Sequence, residues 1–282
     1  MFPLNGMRGY VFDGVVSAPI ITYYSETEII PTHSDVVSHT YENGVGQWAL
    51  NSPEIPYSLF QSQESITRII LSHIWNIRAG VFTGCSSLDS ITIPRSVTHI
   101  EHAVFVGCDS LSKTNYTGDI AGWCAIEFAH VEANPIYYSH NLYIDDQEIK
   151  DLVIPDSVDT ITDCAFPTCA LTSVIVGDSV LHIGKQAFSG CSNLALVKIG
   201  NNVTSIERDA FRRCYSLSSV ILPPSVTHIG SWAFYDCTSL RDVTCGAVIP
   251  PTLASNDTFH NVKAIYVPAE SVEDYKIATN WS

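Results

Sequence analysis

A repeat of 22–23 residues constrains this chain more than any local propensity. Phenylalanine recurs at Phe82, Phe105, Phe166, Phe188, Phe211 and Phe234, with spacings of 23, 61, 22, 23 and 23 residues. Three positions after each comes a cysteine: Cys85, Cys108, Cys169, Cys191, Cys214 and Cys237. A leucine follows each time, at Leu88, Leu111, Leu171, Leu194, Leu217 and Leu240. The unit reads V-x-x-I-x-x-x-A-F-x-x-C-x-x-L-x-x-I-x-I-P. It has one apolar side and is too short to bury that side alone, so its copies must stack.

The end of the unit, L-x-x-I-x-I, has the two-residue alternation of a strand, stopped by Pro94, Gly177, Gly200 or Pro223. V-x-x-I fits a second, shorter extended piece. Asn51–Leu71 reads as a divergent first repeat, with Ile55, Leu59-Phe60, and Gln63 in the cysteine position. Phe259 and Ala264–Pro268 supply a last one. The long gap holds an insertion over 118–150, including a hairpin with Asp145 and Asp146 at its turn. The expected organisation is a β-rich cap over 1–50, with an Asn43-Gly44 hairpin turn, a solenoid over 51–268, and a cap segment over 269–282.

The stretch "SVTHIGSWAFYDCTSLRDV" resembles the leucine-rich repeats of the BspA-like, or Treponema-type, family, found on surfaces of oral and gut bacteria and of trichomonads. The resemblance runs over about 51–268, and "HTYENGVG" and the insertion are similar to the family's cap and long variant repeat. Val81 and Val104 depart from it where alanine is usual, as does a one-residue deletion before Leu171. It implies a curved right-handed solenoid with a parallel sheet on the concave face. It also implies adhesion or protein binding at a cell surface or in secreted form, without catalysis.

Charge narrows the partners. Lys plus Arg number 14 against 29 Asp plus Glu, a net charge of −15. Nucleic acid and anionic membrane both ask for a basic face and are not expected. No segment approaches the ~18 apolar residues of a membrane helix. "MFPLNGMRGYVFDGVVSAP" does not read as a signal peptide, which leaves a cytoplasmic location open beside that of a fragment or mature surface protein.

The six periodic cysteines should form a column of small buried groups with weak donors, facing the backbone of the turn, and the six phenylalanines a core column beside them. No C-x-x-C occurs, and nine cysteines make an odd number, so neither zinc nor a complete disulfide framework is expected. Cys245 takes a core strand position, while Cys124 and Cys164 lie off the column with their exposure open. His99, His182 and His228 share a position with Thr160 and Ser205, which marks a tolerant exposed site; the close pair His99 and His102 lacks a third ligand. Asp145, Asp146 and Glu148 read as a solvated turn whose pKa values are not usefully shifted. No catalytic motif or cofactor loop is present, so catalytic, cofactor and metal sites are each expected to be none. Sequons occur at Asn115, Asn202, Asn256 and Asn280.

A binding face follows from alternation. With Val174/Val176, Val197/Ile199 and Val220/Leu222 facing inward, Ser173/Ile175, Leu196/Lys198 and Ser219/Ile221 face the concave surface. Ile175, Leu196 and Ile221 would form an apolar patch, flanked by the polar pairs Ser90/Thr92, Lys113/Asn115 and Asp242/Thr244. The expected function is non-enzymatic recognition of a protein or glycan by a monomer. An intracellular interaction scaffold is the alternative, and an enzyme with its site in the cap or the insertion is a remote one. Should the patch fail, Trp123 and Tyr137 in the insertion are the next place to look.

Overall fold

The computed structural model describes residues 10–12, 15–17, 19–260 and 262–281. The "MFPLNGMRGYVFDGVVSAP" segment lies largely outside them. The chain forms two compact units, Met1–Gly118 with Ile126–Gln147, and Asp119–Ala125 with Glu148–Ser282. Each is a length of parallel β-solenoid with two strands per rung.

In the first unit the short strands Glu54–Ile55, Asn76–Ile77, His99–Ile100 and Glu127–Phe128 pair in parallel as a narrow sheet. The L-x-x-I-x-I segments give a wide sheet: Ile66–Ser72, Ser90–Ile93, Lys113–Tyr116 and Leu142–Ile144. The edge of its first strand is not left unpaired. Ile20–Ser25 pairs antiparallel with Ile66–Ser72, followed by Val45–Leu50 and Val36–Glu42. The turn between the last two is Asn43-Gly44, at φ 52° and 79°. Ile21, Tyr23, Trp48 and Leu50 are buried on the inner side of this meander, so it closes the sheet edge as an apolar lid.

Residues 118–150 are less of an insertion than the spacing suggests. Glu127–Phe128 continues the narrow sheet and Leu142–Ile144 the wide one, so the segment is largely one long rung with short helices in place of a Phe turn. Buried Thr114 and Ser139 join hydroxyls at 2.9 Å across it.

In the second unit the narrow sheet runs through Thr160–Ile161, His182–Ile183, Ser205–Ile206, His228–Ile229 and Thr252–Leu253. The wide strands form two three-stranded sheets: Asp151–Ile154, Ser173–Val176 and Leu196–Lys198, then Ser219–Leu222, Asp242–Cys245 and Ala264–Tyr266. The helix Val272–Ile277 follows, where the Tyr275 hydroxyl donates to the Ala247 carbonyl at 2.7 Å and to Cys245 Sγ at 3.2 Å. Trp281 packs its ring 5.6 Å from that of Phe259.

The third side of each rung is the Phe turn. Two residues before and two after Phe, the backbone is left-handed in seven turns, from Ser58 and Ser62 to Trp232 and Asp236, with φ between 53° and 79°. Only Gly80, Gly84, Gly107 and Gly190 among these fourteen are glycine. Each of the others carries strain on the order of 1 kcal/mol. Cross-rung hydrogen bonds offset it. Gln186, Phe188 and Gly190 donate their amides to the Arg208, Ala210 and Arg212 carbonyls at 3.0, 2.8 and 2.7 Å, and the same pattern recurs on the turns of Phe60, Phe82, Phe166 and Phe211. In these pairs the earlier rung donates to the later one. Inside the turn the phenylalanines stack, and Phe60 to Phe105 and Phe166 to Phe234 are all fully buried, each worth about 1.5–3 kcal/mol of transfer.

Candidate functional site

The wide strands of the second unit bury every other residue and present the remainder outward. Val174, Val176, Val197, Ile199, Val220 and Leu222 are buried. The strand register then fixes two outward rows. One runs Asp151, Ser173, Leu196; the other runs Val153, Ile175, Lys198. In the neighbouring sheet the rows are Ser219, Asp242, Ala264 and Ile221, Thr244, Tyr266. Ile221 is 67% exposed, Leu196 58% and Ile175 39%. Ser173 is half-buried, while Lys198 and Ser219 are open.

Two members of this face were not singled out from the sequence. Val153, 56% exposed, lies directly beside Ile175, and Tyr266, 55% exposed, ends the same side. Val153 has the outward alternation of its strand and was legible in principle. Acidic groups bracket the face. Asp151 accepts from Ser173 Oγ at 2.6 Å and Thr172 Oγ1 at 2.7 Å, and these bonds hold its carboxyl below the usual carboxylate value. Asp242 accepts from the Tyr266 hydroxyl at 3.5 Å.

The periodic thiols point the other way, into the core. Cys85, Cys108, Cys191 and Cys237 each donate to the carbonyl of the preceding rung's Phe at 3.1 Å, and Cys214 does so at 3.4 Å. Their acceptors are Phe60, Phe82, Phe166, Phe211 and Phe188 in turn. Cys169 is buried in the same column. Burial pushes Cys85 and Cys108 up to about 12 and raises Cys191 and Cys214 well above an ordinary thiol. Thiols held this firmly protonated are poor nucleophiles. All nine cysteines are buried and none is in a disulfide, including Cys124 and Cys164, whose exposure the sequence left open and whose pKa values burial also lifts to about 12.

The remaining residues singled out by sequence separate. His182 Nδ1 lies 2.9 Å from Ser205 Oγ, and His228 Nδ1 lies 3.0 Å from Thr252 Oγ1, along the narrow sheet. His99 faces Glu127 at 3.0 Å instead of His102. Among the described residues no three His, Cys, Asp or Glu side chains converge as a metal site. The acidic turn needs a correction: Lys113 Nζ donates to Asp146 Oδ1 at 2.7 Å and holds that carboxyl below its ordinary value, though the turn stays open to water. Trp123 is no surface residue. It is fully buried, its Nε1 donating to the Ala165 carbonyl at 2.7 Å, so it cannot serve as a contact.

Stacked rungs, parallel sheets and side-chain columns along the Phe turns define a leucine-rich-repeat solenoid. The chain belongs to the BspA type leucine rich repeat family, whose model matches six copies over residues 51–131 and 138–265. Similar solved structures include a leucine rich cell surface protein from Faecalibacterium prausnitzii, with 21% identity, TM-score 0.47, and coverage of 81% of this chain and 80% of that one. A leucine-rich repeat protein from Bacteroides ovatus matches with 22% identity and TM-score 0.47, over 91% and 77%. The T. pallidum leucine rich repeat protein matches with 30% identity and TM-score 0.33, over 42% and 52%. No curated protein matches the chain. Among the described residues no helix is long and apolar enough to cross a membrane.

Proposed function

We propose that this protein is a non-enzymatic binding module, displayed at a cell surface, that recognises a protein partner through the outward rows of the second unit's wide sheet. The observation that carries the reading is the set Val153, Ile175, Leu196 and Ile221, exposed apolar side chains on four strands of a face with Ser173, Ser219 and Lys198 between them. An apolar centre with a polar and charged surround has the composition of a contact surface. β-branched residues also favour strands without any partner, so the test must separate contact from propensity. The surface location draws on the family.

A photo-crosslinking amino acid placed at position 221 should trap a protein from neighbouring or host cells, and the same group at His182 on the narrow sheet should not. Ile175→Asp combined with Ile221→Asp should abolish trapping from a third outward position, Ser219, while thermal stability moves by no more than about 0.5 kcal/mol per site. Equal trapping from positions 182 and 221, or trapping untouched by the double variant, would remove this face from consideration.

A further inference from the structure

The Phe turns of the second unit carry outward side chains that the core does not use. Two residues before Phe the backbone is left-handed in every described turn from Phe60 to Phe234, a conformation that favours glycine. In the turn of Phe234 that position holds Trp232, at φ 58° and only half-buried. This backbone gives a bulky indole no advantage over the smaller residues that hold the position in the other turns, Ser58, Gly80, Ala103, Cys164, Gln186 and Asp209. The Arg208 guanidinium sits 5.2 Å from the centre of its ring. One residue after Phe, on three successive turns, come Arg212, Tyr235 and His260. Arg212 lies 5.6 Å from the Tyr235 ring centre, and the His260 ring lies 5.2 Å from it. Both arginines are held from below: buried Asp209 accepts from Arg208 Nε at 3.0 Å and from Arg212 Nη1 at 3.4 Å.

Trp232, Tyr235, Arg212, His260 and Asp257 line a cavity of about 350 Å³. Each of the five carries both a shape and a polar atom. Arg212 and the indole N–H only donate, the Asp257 carboxylate only accepts, and the tyrosine and histidine can do either. An apolar peptide anchor would leave those groups desolvated without partners, which is costly. An anion would suit Arg212 and meet Asp257. A ring with an apolar C–H face and a rim of hydroxyls, each both donor and acceptor, satisfies all five. The volume is at the small end of ligand pockets, the size for one or two such rings.

We infer that this edge of the solenoid is a second binding site, independent of the wide-sheet face, that takes a neutral pyranose sugar between Trp232, Tyr235 and Asp257. Ligand-observed NMR on the full chain, with methyl β-galactopyranoside, methyl α-mannopyranoside, methyl N-acetyl-β-glucosaminide and N-acetylneuraminic acid as probes, tests it. At least one neutral glycoside should bind saturably with Kd of about 1 mM. Trp232→Gly and Asp257→Ala should each weaken it about tenfold or more. The glycine variant should keep or raise the thermal midpoint, because glycine suits the left-handed backbone, so lost binding cannot be lost folding. Ile175→Asp with Ile221→Asp should bind the sugar as the parent does. Three results would each overturn the proposal: no saturable response to any neutral probe, a response unchanged in Trp232→Gly, or binding confined to N-acetylneuraminic acid and strengthened by Asp257→Ala.

Discussion

The two units stack the same phenylalanine differently. In the first, Phe60, Phe82 and Phe105 lie 5.8 and 5.7 Å apart with planes turned by 30° and 28°. In the second, Phe166, Phe188, Phe211 and Phe234 lie 5.4, 5.2 and 5.2 Å apart with planes turned by 5°, 9° and 8°. The residue before each ring accounts for the contrast. It is Leu59, Val81 and Val104 in the first unit and Ala165, Ala187, Ala210 and Ala233 in the second. Both valines are fully buried, so their added methyls sit within the column and the rings tilt to admit them. The alanines leave room for rings to lie flat at close to the ~4.8 Å spacing of paired strands. What looks in sequence like a tolerated Ala–Val exchange is a change in how rungs touch.

The comparison can be broken most sharply by emptying the column. Phe211→Ala should cost about 3–5 kcal/mol in chemical denaturation, since the residues before the neighbouring rings are alanines, too small to fill the void. Phe82→Ala should cost about 1 kcal/mol less, because Val81 and Val104 can lean into the space. Equal losses would mean the valines are not coupled to the rings. Adding volume is the milder test. Ala210→Val should destabilise by about 1–3 kcal/mol and tilt the neighbouring rings, visible as altered aromatic circular dichroism. A neutral Ala210→Val would place the cause of the tilt elsewhere.

Taken singly, each thiol gives a smaller effect than an emptied ring, and spreads it over pH. Burial raises Cys85, Cys108, Cys124 and Cys164 from 9.0 to about 12 in the folded chain. Below pH 9 both states keep the proton and the thiols leave stability unchanged. Between pH 9 and 12 the unfolded chain loses protons that the folded one retains, so stability falls, by up to about 1.4 kcal/mol per pH unit for each such thiol. Denaturation midpoints at pH 8, 9.5 and 10.5 should show that decline, and Cys85→Ala should make it shallower. A flat profile would mean that the buried thiols ionise as easily as those of the unfolded chain.

Much of the fold was legible because the period marks the residues that cannot change. Phe, Cys and Leu define the rung, and alternation along L-x-x-I-x-I gives the sheet. The left-handed positions were not legible. Cys164, Gln186 and Arg213 carry no turn signature, because amides bonded across rungs impose a conformation that their own propensities oppose. The candidate face came through for Ile175, Leu196 and Ile221, whose outward alternation is plain, and missed Val153 because the alternation was followed only from the rung of Ser173 onward. Arg212, Tyr235 and His260 recur at the position after Phe, so a reading of that column would have gathered them. Their ring contacts and the cavity needed the three-dimensional turn.

The directions of the cross-rung bonds give the molecule a calendar. The thiol of a new rung points back, to a Phe carbonyl already made, whereas the amides of its Phe turn point ahead, to carbonyls of the next rung. On the ribosome, at about 5–20 residues per second, one rung takes roughly 1–5 s to appear. For that interval the newest turn holds its left-handed residues with no carbonyls to receive its amides. The growing tip is thus always half-finished, anchored by sulfur behind and open in front, and each rung is completed only by its successor.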